Sequence, residues 1–132
     1  MTDEQLEAAA KERVKAIIDY ISRGEFDKLT SVTLIASSWC NDGDKVGTQE
    51  DGIKEFAEWL KEQFELWKED FDKDFVVDPF DEACLDLGDF VNDRYFAVYN
   101  PTSSGEGIDF WFEIKLWLNE KDELISEFNI NV

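Results

Sequence analysis

The chain has no histidine, only two cysteines and two prolines, and 13 basic residues against 32 acidic ones. Each shortage removes a class of chemistry. Without histidine there can be no Ser–His–Asp triad, Cys–His pair, Asp–His dyad or imidazole-ligated zinc. Two cysteines, Cys40 and Cys84, do not make a disulfide framework and read as inert buried thiols in a cytoplasmic protein. No apolar run approaches the roughly 18 residues of a membrane span. The opening MTDEQLEAAAKER lacks an apolar h-region, so no secretory signal is expected. KDEL at 121–124 is internal, and only a terminus carries that retention address. The sequence also lacks GxGxxG, a Walker loop and CxxC, so no cofactor is expected. A net charge of −19 repels nucleic acid and anionic membranes, which disfavours both as partners. That charge suits solubility, or the binding of a basic protein.

What the chain does have is a single strong alternation of α and β patterning, read as one domain over 1–132. Thr2 and Gln5 have capping-box spacing, and Leu6, Ala10, Val14, Ile17, Ile18 and Ile21 trace one helix face stopped by Gly24. Glu25 to Thr33 reads as a second short helix and Leu34 to Cys40 as a strand. Thr48 and Asp51 repeat the capping-box spacing ahead of a long helix. Its inward face is Ile53, Phe56, Ala57, Leu60, Phe64, Trp67 and Phe71. Lys54, Glu55, Glu58, Lys61, Glu62, Glu65, Lys68 and Glu69 occupy the opposite side. Lys54–Glu58 and Glu65–Lys68 fall at ion-pair spacing. Strands follow: 75–77, 83–91 with Gly88 as a bulge, a turn at Asn92-Asp93, and 94–99. Gly107 to Leu118 gives the cleanest signal, with apolar residues at every even position. A last strand runs from Leu124 to Val132. The class is α+β.

Metal loops fail on their key positions. Asp42, Asp44, Gly47 and Glu50 match positions 1, 3, 6 and 9 of a calcium loop, but position 12 is Ile53. Asp70, Asp72 and Asp74 have the opening spacing, but Phe75 stands where the turn glycine belongs. No metal is expected.

In this order of elements the chain resembles the NTF2-like (cystatin-like) superfamily, which includes SnoaL-like cyclases and ketosteroid isomerases. The resemblance rests on IIDYISRGEFDKL (17–29), TQEDGIKEFAEWL (48–60) and WLNEKDELISEFNI (117–130). It implies a curved antiparallel sheet wrapped around a long helix and two N-terminal helices. It also implies a pocket at the open end of the cone and a homodimer through the outer sheet face. Isomerases of this family use a Tyr, an Asp base and a protonated Asp. Counting along this chain puts Ile17, Asn41 and Ile114 at those positions, so that chemistry is not expected. Asp42 is the remaining base candidate if the count shifts by one residue.

Trp39, Asn41, Phe56, Phe112 and Ile114 are expected at the cone interior and rim, where they either line an apolar pocket or fill a closed core. Tyr95, Tyr99, Trp111 and Trp117 share strand parity and are expected on the outer face as a dimer interface. Three functions follow as expectations. The first is binding of a small apolar molecule without catalysis. The second is an acidic interaction or immunity-type inhibitor that binds a basic partner. The third is a divergent lyase or isomerase using Asp42.

Overall fold

The first helix, α1 (Asp3–Ser22), begins where its sequence says it should. The Gln5 amide donates to Thr2 Oγ1 at 3.2 Å, and the Thr2 amide donates back to Gln5 Oε1 at 3.0 Å, which pairs amides left open at a helix start. At the other end Gly24 takes a φ of +72°. The Gly24 and Glu25 amides there close onto the Ile21 and Tyr20 carbonyls, a left-handed stop that suits glycine. All six apolar residues of the predicted face, Leu6 through Ile21, are buried. These features come from a computed structural model that describes residues 2–41, 46–71, 76–88 and 94–131.

A 3₁₀ helix (Phe26–Ser31) leads into β1 (Leu34–Ile35), then α2 (Ser37–Cys40) and the long α3 (Gln49–Phe71). The second predicted helix is therefore a 3₁₀ segment. The predicted strand 34–40 breaks after two residues. Ala36, Trp39 and Cys40 stand at i, i+3 and i+4 and all turn inward, a spacing only a helix satisfies. At the start of α3, Thr48 and Asp51 exchange amide bonds at 3.0 and 3.1 Å, as the capping pattern predicts.

The main sheet has strand order β1-β7-β6-β3-β2, with β2 (Leu85–Leu87), β3 (Arg94–Tyr99), β6 (Trp111–Leu118) and β7 (Leu124–Asn131). It is a curved mixed sheet, because β1 runs parallel to β7; the expectation of a purely antiparallel sheet is corrected here. A separate hairpin pairs β4 (Thr102–Ser103) with β5 (Glu106–Gly107). The predicted strand from Gly107 thus begins at Trp111 instead, its first residue having been taken by that hairpin. Val76 and Val77 lie outside any strand. The turn at Asn92-Asp93 and residues 89–91 fall outside the described residues, although β2 and β3 pair antiparallel as a hairpin requires.

Helix α3 sits on the sheet at close range. A Cβ on Gly52 would meet Cys40 Sγ at 2.5 Å and Ile35 Cγ2 at 2.8 Å, so α2, α3 and β1 meet there with room only for hydrogen. One residue group further, the Gln49 side-chain amide accepts from Ile35 N–H at 2.6 Å and donates to Ile35 C=O at 3.2 Å, closing the outer edge of β1 as a strand would. Gly52→Ala gains roughly 1 kcal/mol of helix propensity and loses about 1–3 kcal/mol to overpacking. The net expectation is destabilisation, read as a lower urea midpoint with an unchanged m value.

The β4–β5 hairpin is held by one carboxylate. Asp78 accepts from Thr102 Oγ1 at 2.8 Å, the Ser104 amide at 2.9 Å and the Gly105 amide at 2.8 Å. Burial raises its pKa, but these bonds outweigh burial and leave it below the ordinary 3.8. Asp19 behaves alike: burial raises it, while bonds from Lys15 and the Phe80 amide, with the charges of Lys15 and Arg23, bring it down. A depressed folded-state value contributes stability above the unfolded pKa and loses it as pH falls through the folded one. Asp78→Asn should therefore flatten the acid limb of a stability–pH curve below about pH 4.

Candidate functional site

The interior is built on Phe56, whose ring meets those of Phe26, Trp39, Phe112 and Phe128 edge-on at 5.9, 5.8, 6.3 and 5.1 Å. A second path runs from Trp39 to Trp59 at 6.0 Å, on to Phe110 at 5.3 Å and to Phe112 at 5.8 Å. The rings of Phe56, Trp39, Trp59, Phe110 and Phe112 form a closed circuit of aromatic contacts, the arrangement favoured by ring quadrupoles. Phe56, Phe112 and Ile114 are 0% exposed. Of the five residues expected at the cone interior and rim, these three pack within the core, and Trp39 and Asn41 border a surface cleft.

That cleft, of about 820 Å³, lies between α2 and the N-terminal half of α3. Trp39 lines it, with its indole N–H donating to Asn129 Oδ1 at 2.8 Å. Asp51, Lys54, Glu55 and Glu58 complete the α3 side. From the cleft the acids run on along α3: Asp51, Glu55, Glu58, Glu62, Glu65 and Glu69 recur every three or four residues and all are exposed. This spacing places six carboxylates in one stripe about 27 Å long. The predicted Lys54–Glu58 ion pair does not form.

The isomerase positions hold no acid or base. Ile17 and Ile114 are fully buried, and Asn41 is exposed at the end of α2. Asp42 lies outside the described residues, as do Asp44, Asp72 and Asp74 of the two calcium-like spacings. Among the described residues no cluster of His, Cys, Asp or Glu could hold a metal ion. Burial pushes the Cys40 and Cys84 thiols up, away from the thiolate a nucleophile needs.

The outer-face set is divided by register. Tyr95 and Tyr99 pair with Leu116 and Phe112, on the inner face, and are 7% and 1% exposed. They are core residues, which corrects their assignment to an interface. Burial raises Tyr99 to about 12, and its hydroxyl accepts from the Asp81 amide at 3.0 Å while its ring stacks on Phe80. Trp111 and Trp117 do face outward and are half-buried. The residue missed on that side is Phe96, opposite Lys115 and 47% exposed. Its signal was the β3 alternation, in which Tyr95, Ala97 and Tyr99 form the apolar set facing in.

Among the described residues no helix is long and apolar enough to cross a membrane. No family model, no curated protein and no solved structure matches the chain.

Proposed function

We propose that the chain is a non-catalytic binding protein that engages a basic protein partner through the carboxylate stripe of α3 and the Trp39 cleft at its head. The observation that carries this reading is the stripe itself: six exposed carboxylates in register along one side of a 23-residue helix. Such a row favours a partner with complementary lysines and arginines and speeds encounter with it. The aromatic circuit argues against the alternative of an apolar ligand inside, because its rings occupy the volume such a ligand would need. A single-base lyase at Asp42 would lack the family's two oxyanion donors, whose positions in this chain are Ile17 and Ile114. Helix, 3₁₀ helix, strand, two helices and a curved sheet is also the order an NTF2-like cone would show, and we read the fold as a divergent member of that superfamily.

The test compares two variants of equal net charge. One reverses the stripe, Glu58→Lys/Glu62→Lys/Glu65→Lys; the other reverses exposed acids elsewhere, Glu7→Lys/Glu12→Lys/Glu120→Lys. Affinity capture from extracts of the source cells at low salt should retain the same basic protein on wild type and on the second variant, and lose it from the first. Equal retention by both variants would contradict the reading, since charge alone would then account for capture.

A second copy of the chain is the occupant we propose for the outer sheet face. Trp111, Trp117, Val98 and Phe96 lie there beside Arg94 and Lys115, set against Asp86, Glu113 and Glu127. Two cations against three carboxylates make this face almost neutral on a chain of charge −19, so two copies can meet there without strong repulsion. Phe96→Glu should shift sedimentation from dimer to monomer. A monomeric wild type at 100 µM would remove the proposal.

A further inference from the structure

Ser126 is the one polar residue among the inward-facing positions of β7, and it leads to a second site. It is buried beside Thr33, also buried. The Ser126 hydroxyl lies 2.8 Å from Thr33 Oγ1 and 3.3 Å from the Val32 carbonyl, and it accepts from Arg13 Nη1 at 3.2 Å. Arg13 Nη2 donates to the Leu124 carbonyl at 2.8 Å. Helix α1 thus presents a partly buried guanidinium whose plane is fixed by two acceptors on β7.

With 32 acidic residues available, Arg13 forms no ion pair among the described residues. Burial lowers its pKa, as expected of a cation removed from water with no counter-charge. A guanidinium has five N–H donors, of which two are used here. Arg13 lines a cleft of about 390 Å³ between α1, the Thr30–Leu34 segment and the start of β7. Glu123 also lines this cleft, but its side chain is exposed and turned to Asn119, 3.5 Å away.

We infer that the Arg13 cleft is a binding site for a small oxyanion, a carboxylate or phosphate group carried by a small molecule, with the fixed guanidinium as its anchor. Planar, two-point recognition of such groups is what arginine does best, and pre-fixing its plane removes much of the ordering cost. This site lies apart from the α3 stripe and does not depend on the proposed partner.

The test is calorimetric titration with sodium acetate and with sodium phosphate, each against sodium chloride at matched ionic strength, since screening alone would act on a chain this acidic. Wild type should bind at least one of the two with a dissociation constant on the order of 1 mM. Arg13→Gln should weaken binding roughly tenfold or more, the scale of a lost charge-assisted bond. Thr30→Asp, at an exposed position on the cleft wall, should weaken it comparably while leaving the circular dichroism unchanged, so the site is testable even if Arg13→Gln fails to fold. Acetate binding alone would make the ligand group a carboxylate, and phosphate binding alone a phosphate. Absence of saturable binding of both anions by wild type, or undiminished binding by Thr30→Asp, would overturn the assignment.

Discussion

Phe56→Ala should remove about 3–5 kcal/mol of stability, the range for truncating a buried phenylalanine. The upper end is expected. Phe56 touches four other rings, and each edge-on pair adds roughly 0.5–1.5 kcal/mol beyond its buried area. Against a typical total of about 5–15 kcal/mol, a loss of that size leaves a marginal protein. Thermal melting should fall by roughly 10–20 °C. Phe56→Leu keeps most of the volume and should cost far less. If Phe56→Ala cost less than about 1 kcal/mol, the interior would be loosely filled, and the aromatic circuit would not be what holds α3 to the sheet.

Ile114→Asp should be still more disruptive, and it bears directly on catalysis. Ile114 stands where the resemblance would put the acid of an oxyanion site, yet it is fully buried between Ala97 on β3 and Phe128 on β7. Neither of these cross-strand partners offers a polar side chain to receive a carboxylate. An unpaired buried charge typically costs about 3–5 kcal/mol. Burial would raise the pKa of the introduced acid, so the loss should be largest at neutral pH and shrink as pH falls below that raised value. A variant as stable as wild type at pH 7 would show that the position is wet, and the case against isomerase-type chemistry would weaken.

Much of the architecture was legible because it depends on local signals. Thr2 with Gln5, Thr48 with Asp51, and Gly24 each act within a turn of chain, and all three do what their spacing predicts. Leu34 to Cys40 was not legible as two elements. Its first two residues form a strand and Ser37–Cys40 a helix capped by Ala36, and the close packing of Ile35 and Cys40 against Gly52 is a tertiary contact that no local pattern shows. Tyr95 and Tyr99 failed for a different reason. Residue parity says which residues of one strand share a face, but register decides which face a neighbouring strand matches to it. In the β3–β6 pair, odd residues lie opposite even ones, so an assumed odd-to-odd match inverted β3. The Arg13–Ser126 contact joins residues 113 positions apart, and no local pattern announces it.

The acidic stripe was visible in the sequence only as solvated charge. Its significance as a surface depends on the core behind it being full. Titration with a neutral apolar fluorophore such as Nile red tests that most directly. Wild type should show no saturable binding, while Phe56→Ala, where folded, should acquire it through the cavity created. Saturable one-to-one binding by wild type, abolished by Ile114→Trp, would contradict the account and return the function to the interior.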